Sequence, residues 1–273
     1  MTFDFNGIQL YYEVHGKVKG EAKPILILNG IMMSTRSWQE FLEPMTQFNQ
    51  IILFDFPDQG QSGKCDKDYD HKQQVNSVIA LLDHLQLDQV NIYGVSYGGQ
   101  IALQLALDFP ARVNKLALFN TPAETSYWLF EIGQAWNNAA KDGLTYYYTT
   151  IPYIYSPRFF AENREWMEKR KKVLLPLFND EAFIGSMIRL TKSSENYNVK
   201  ARLGEIEHNT LIVGCEYDFV TPFYQQEELH AAMKNSKLIF VPNSGHGMMY
   251  EEPELFISLL LGHMNNNKVN YNI

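Results

Sequence analysis

Apolar positions along this chain first alternate and then cluster. Phe3 and Phe5 alternate with polar neighbours, Asn6-Gly7 interrupts, and Ile8, Leu10, Tyr12 and Val14 resume the alternation. A period of two marks strands with one buried face. Asn-Gly supplies the positive φ angles of a tight hairpin turn. Two antiparallel strands at a sheet edge are therefore predicted. Ile25–Leu28 and Ile51–Phe54 are short, continuous apolar runs, the pattern of strands buried on both faces of a parallel sheet. A loop and a helix around Trp38–Gln47 lie between them. Val75, Val78, Ile79, Leu82 and Leu85 recur at helical spacing and predict an amphipathic helix over His71–Leu85. Strands over Val90–Tyr93, Lys115–Phe119, Leu211–Val213 and Leu238–Val241 follow, with a helix over Gln100–Leu107. Strands alternating with helices specify an α/β fold: a mostly parallel, doubly wound sheet.

The alternation breaks at Asn120-Thr121-Pro122 and resumes near His208. Residues 1–120 and 208–273 are read as one core and 121–207 as an inserted helical cap. The insert carries Trp128, Trp136 and Trp166, with Tyr146, Tyr147, Tyr148, Tyr153, Tyr155, Phe159 and Phe160. Most of these aromatics are expected to staple helices together. Some, Trp128 among them, are expected to line an apolar pocket. Arg164, Lys169, Arg170, Lys171 and Lys172, interleaved with Glu165 and Glu168, read as a solvated helix face. The tail from Asn265 to Ile273 reads as frayed.

Between the strand at 90–93 and the helix at 100–107 stands Gly94-Val95-Ser96-Tyr97-Gly98. Strand, G-x-S-x-G and helix together describe a turn that lifts a serine hydroxyl into an open site. Glycine fits because the turn brings backbone too close for a Cβ. A serine nucleophile needs a base, and the base needs an acid to orient it. Candidates for both follow later strands. Gly214-Cys215-Glu216-Tyr217-Asp218 offers Asp218 with Glu216 as a rival, and Gly245-His246-Gly247 offers His246. His15, His71, His84, His208 and His230 are given surface or structural roles.

These segments resemble the α/β-hydrolase superfamily. The family's acid region, roughly G-x-x-D-x-x-x-P, is matched by Gly214, Asp218 and Pro222 with one extra residue before the acid. Its histidine region, G-H-x-x-x-x-E-x-P, is matched by Gly245, His246, Glu251 and Pro253. The likeness spans about residues 8–119 and 208–262. It implies Ser96 as nucleophile, His246 as general base and Asp218 as its partner. It also implies an oxyanion hole from the backbone N–H groups of Tyr97 and Ile31, with Met32 as the alternative second donor. Two departures stand out. Asn29-Gly30 replaces the usual His-Gly, as in similar enzymes that open enol-lactones. Asp55-Phe56-Pro57-Asp58-Gln59-Gly60-Gln61-Ser62 replaces D-x-R-G-H-G-x-S. Asn29, Gly30, Met32 and Met248 are expected at the substrate, with Met33 and Met249 nearby as adaptable apolar surface.

Composition narrows the classes. The chain has 273 residues, 45% of them hydrophobic, enough for a large core. Its formal net charge of −8 disfavours nucleic acid. No run approaches the ~20 apolar residues of a membrane span. The start lacks the basic and apolar segments of a signal peptide, so a cytoplasmic location is expected. Cys65 and Cys215 form neither a disulfide framework nor a metal spacing. No metal or cofactor is expected. The reading is a serine hydrolase of small apolar esters acting through a covalent acyl-enzyme. A lactone or thioester substrate is the alternative within that chemistry, and a non-catalytic ligand receptor the alternative outside it. A homodimer is left open.

Overall fold

Asn6 and Gly7, at φ 53° and 85°, turn strand β1 (Thr2–Phe5) back on β2 (Ile8–His15), pairing Phe5 with Ile8. The computed structural model describes residues 1–18, 20 and 22–265. All of the tail reading except Asn265 therefore lies outside the described residues. From β2 the chain enters β3 (Ile25–Leu28), a 3₁₀ turn over Thr35–Phe41, the short helix α1 (Leu42–Thr46) and β4 (Ile51–Phe54). Helix α2 (His71–His84), capped by Asp70 accepting from the Gln73 N–H, leads to β5 (Val90–Val95), α3 (Tyr97–Asp108) and β6 (Val113–Phe119). Five helices then intervene: α4 (Tyr127–Ala139), α5 (Gly143–Ile154), α6 (Pro157–Glu162), α7 (Arg164–Phe178) and α8 (Glu181–Ser193). The chain closes with β7 (Asn209–Tyr217), α9 (Tyr224–Ala232), β8 (Ser236–Gly245), α10 (Met248–Glu251) and α11 (Pro253–Asn265).

The eight strands form one sheet in the order β1-β2-β4-β3-β5-β6-β7-β8. The first two pairings are antiparallel and β3 to β8 run parallel. This is the expected architecture, a mostly parallel sheet with helices on both faces. Alternation along each strand sends side chains to two cores. Leu26 and Leu28 pack with α2 and α3, whereas Ile25 and Ile27 pack with Trp38, Tyr93, Phe119 and Phe256. Strands β3 and β4 are apolar throughout because neither face meets water, whereas β1, β2 and β8 expose part of theirs.

The intervening helices start where the sequence supplies caps. Ser126, Asp142, Ser156 and Asp180 each accept a hydrogen bond from the backbone N–H three residues on. Their aromatics divide. Trp136, Tyr146, Tyr147 and Tyr155 are buried, whereas Tyr148 is exposed. A buried ion pair fastens the insert to the core. Arg189 on α8 donates to both oxygens of Asp58, at 2.9 and 2.6 Å, beside the Ser186 hydroxyl at 3.1 Å. Asp58 belongs to the loop where the sequence departs from the D-x-R-G-H-G-x-S pattern. No described helix is long and apolar enough to cross a membrane, and both cysteines are free and buried.

Candidate active site

Strand β5 ends at Val95 and α3 begins at Tyr97, so Ser96 makes the whole turn, at φ 54° and ψ −120°. A non-glycine residue there is strained, and surrounding bonds must hold it. The Ser96 N–H donates to the Phe119 carbonyl at 3.0 Å, and its own carbonyl accepts from the Gly99 N–H at 2.9 Å. The flanking glycines are forced by space. A Cβ on Gly94 would lie 2.7 Å from the Gly98 oxygen, and one on Gly98 would collide with the Leu28 carbonyl.

Asp218 follows β7, and its oxygens are densely bonded. Oδ1 accepts from the N–H groups of Val220 at 2.9 Å and Thr221 at 2.8 Å. Oδ2 accepts from the Thr221 hydroxyl at 2.8 Å and lies 2.8 Å from His246 Nδ1. That contact occupies one ring nitrogen, and the histidine borders the cavity that also contains Ser96. Glu216 is turned outward, its Oε2 accepting from the Asn243 N–H at 2.8 Å. The geometry therefore pairs Asp218, and not its rival, with the histidine.

Sequence reasoning missed the braces around this pair. Asn120, at φ 48°, donates from Nδ2 to the His246 carbonyl at 2.9 Å, and its own carbonyl lies 3.0 Å from the Thr221 hydroxyl. The signal was an asparagine closing a strand, a residue that tolerates left-handed backbone. Glu251 Oε1 accepts from Gly245 N–H at 3.1 Å and Ser156 N–H at 3.0 Å, tying the histidine loop to the insert. Burial raises the Glu251 carboxyl above its usual pKa, and these N–H groups oppose the rise. Burial likewise raises the Tyr155 phenol.

The loop expected to offer the second donor is held by a residue from the other departure. Gln59 Nε2 donates to the carbonyls of Gly30 at 2.9 Å and Ile31 at 3.2 Å. Carbonyl and following N–H point opposite ways across a trans peptide. The N–H groups of Ile31 and Met32 are therefore directed away from Gln59. Tyr97 is the first residue of α3, so its N–H has no partner within the helix.

Ser96, Tyr97, His246, Gly30, Ile31 and Met32 line one cavity of about 120 Å³. Its remaining wall is largely apolar and comes mostly from the insert, including Leu129, Ile132, Trp136, Ile151 and Leu174. Three expected substrate contacts are corrected. Asn29 is fully buried behind the loop, its amide donating to the Phe54 carbonyl at 2.7 Å and its oxygen accepting from Trp38 Nε1 at 2.7 Å. It shapes the loop and does not reach the cavity, so it no longer hints at a lactone. Trp128 sits on the outer side of α4, bonding the Phe219 carbonyl through Nε1 at 2.7 Å; Leu129 and Ile132 take the inward face. Met248 points into the opposite core with Trp38 and Phe256, and its neighbour Met249 reaches the cavity. A one-residue step on a helix turns the side chain about 100°.

The solvated-face reading of 164–172 needs one correction as well. Met167, Leu174 and Phe178 form the buried stripe of α7. Arg170 stands on that stripe, three residues after Met167, and lines the cavity.

A family model described as alpha/beta hydrolase fold matches residues 23–253. The chain is 29% identical over 258 residues to a Variovorax paradoxus protein named "Putative carbamate hydrolase RutD", covering 92% of this chain and 94% of that one. Among solved structures it resembles MGS-M2, an α/β hydrolase enzyme from a Medee basin deep-sea metagenome library. The TM-score is 0.96 and the identity 43%, over 100% of both chains. The enol-lactonase of Burkholderia xenovorans LB400 shares the fold, at TM-score 0.83 and 17% identity over 97% of this chain and 100% of that one.

Proposed function

Since the chain belongs to the α/β-hydrolase family, we propose that it is a serine hydrolase that cleaves carboxylic esters of small, largely apolar molecules. The observation that carries this reading is the 2.8 Å contact between His246 and Asp218 beside a strained Ser96 that opens on the same apolar cavity.

Asp218 accepts from Nδ1–H of His246, which fixes the tautomer and leaves Nε2 as the base. Ser96 Oγ attacks the ester carbonyl carbon while Nε2 takes its proton. The carbonyl electrons move to oxygen, and the N–H groups of Tyr97 and Ile31 receive the developing charge. Collapse expels the alkoxide, which leaves as the alcohol with the proton from Nε2. Water then repeats the sequence on the acyl-Ser96 ester and releases the acid. A carbamate presents the same carbonyl to the same groups. Residues 121–207 act as a cap whose apolar wall selects the substrate and excludes water.

Hydrolysis of p-nitrophenyl esters from acetate to long acyl chains, in the native protein and in Ser96→Ala, tests the reading. Turnover is expected to fall about 10³-fold or more in the variant. Equal turnover in both, or none with any ester or carbamate, overturns it.

A further inference from the structure

Among the charged groups bordering the cavity, Arg170 stands out because its charge has no acidic counterpart. It occupies the inward stripe of α7 with Met167, Leu174 and Phe178, a place where helices put apolar residues. Its guanidinium carbon lies 4.8 Å from the ring centre of Tyr250 and 5.6 Å from that of Trp166. Both contacts are of cation–π kind. None of the ion pairs among the described residues includes it. Its Nε is buried without a hydrogen-bond partner. Of the nearby acids, Glu195 is engaged by Gln134 Nε2 at 3.0 Å and Glu251 by two backbone N–H groups on Oε1, its Oε2 being buried without a hydrogen-bond partner.

A partly buried cation without an acid is costly, and proteins keep one where something else completes it. The rest of the cavity wall is largely apolar, and the partners that the protein gives the guanidinium are the hydroxyls of Tyr155 and Tyr250; a carboxylate on the ligand supplies the opposite charge. Guanidinium is a planar fork that suits a carboxylate with two parallel hydrogen bonds. A single cation balances one negative charge, which favours a carboxylate over a dianionic phosphate.

We propose that Arg170 binds a carboxylate carried by the substrate at a distance from the scissile carbonyl, so that anionic apolar esters are preferred over neutral ones. This rests on the ester-hydrolase reading above. Arg170 is a specificity residue in it and takes no part in bond making. The carboxylate enters the cap side of the cavity, its alkyl chain lies along the apolar wall, and the carbonyl reaches Ser96.

The experiment compares mono-p-nitrophenyl esters of dicarboxylic acids, from adipate to sebacate, with neutral p-nitrophenyl esters of matched chain length. In Arg170→Met, kcat/KM for the best anionic ester is expected to drop roughly tenfold to a hundredfold, with the neutral partner within about threefold. Arg170→Lys should recover part of the loss. A folding defect lowers both substrates together, so the ratio carries the result. An unchanged ratio in Arg170→Met overturns the proposal. Persistence of either activity in Ser96→Ala overturns the serine mechanism and leaves Arg170 to be judged by binding. For that, hexanoate is titrated by tryptophan fluorescence, with Trp166 beside the guanidinium as reporter. Affinity at least tenfold weaker in Arg170→Met, with Ser96→Ala binding as the native protein does, supports the carboxylate site. Equal affinity in native protein and Arg170→Met contradicts it.

Discussion

The strand-end loops that carry Ser96 and Asp218 are fixed largely by backbone, with side-chain braces from Asn120 and Glu251 at the His246 loop, whereas the helices between Thr121 and Glu207 are fixed by side chains. Ser96 is pinned by the Phe119 carbonyl and by glycines that no larger residue can replace. Asp218 takes two of its bonds from backbone N–H groups. The insert instead rests on packed rings, such as Tyr155 stacked on Phe159 and edge-on to Trp166, and on the Arg189–Asp58 pair. A backbone-built site demands particular residues at particular spacings. A side-chain-built wall accepts many combinations of similar volume. The chemistry of this protein is therefore rigidly specified and its substrate range is open to change.

Removing the carboxylate from the rigid side should have the largest effect. Asp218→Asn is expected to cut kcat by about 10³- to 10⁴-fold, because an amide favours the wrong tautomer of His246. Glu216→Gln should remain within about twofold, and steady-state ester kinetics on both variants separates the two acids. On the side-chain-built region, Arg189→Met leaves the buried Asp58 carboxylate without its cation. A loss of about 3 kcal/mol is expected in urea unfolding; a loss below about 1 kcal/mol would mean that the insert is held mainly by its aromatics. Between the regions lies Gln59, whose amide holds the Gly30 and Ile31 carbonyls. Gln59→Ala is expected to lower kcat about tenfold with KM little changed, since a loosened donor loop affects the transition state more than binding. An effect on KM alone would assign Gln59 to substrate binding.

Near neutral pH the remaining effect is the smallest, and it grows as the pH falls. His71 is packed between the rings of Tyr97 and Tyr197, and burial pushes its pKa down to about 3. The unfolded chain takes up a proton near pH 6.5, whereas the folded state does so only near 3. This contribution is fully present above pH 6.5 and is lost as pH falls from there toward 3, at about 1.4 kcal/mol per pH unit. His263, pushed down to about 4, adds in the same sense over a narrower window. His71→Phe should flatten the acid side of a stability–pH curve measured by urea unfolding. An unchanged slope would show that the native state protonates His71 readily.

The same division governs what the sequence made legible. Period-two and continuous apolar runs located the strands of the sheet, because burial on one face or both leaves no freedom in the pattern. The elbow was readable because its glycines answer a steric demand. The resemblance favours Asp218 over Glu216 from its place before Pro222, and it is Asp218 that lies 2.8 Å from His246 Nδ1. The pocket was not readable. The aromatic content of the insert points to Trp128 and the place beside His246 points to Met248, and helical rotation puts Leu129 and Met249 there instead. Asn29 was judged by its place in a loop, yet Phe54 and Trp38 hold it inside. Arg170 was counted with its basic neighbours, although its spacing from Met167 and Leu174 already put it on the buried stripe of α7. Gln59 and Asn120 act through amides on distant carbonyls, contacts that only the fold brings together.

The most direct test of the account is covalent labelling with a fluorophosphonate followed by peptide mass spectrometry. The expected result is a single phosphonyl adduct on Ser96, absent in Ser96→Ala and formed far more slowly in His246→Ala. An unlabelled native protein, or an adduct on another residue, would contradict the assignment of Ser96 as a nucleophile activated by His246 and Asp218.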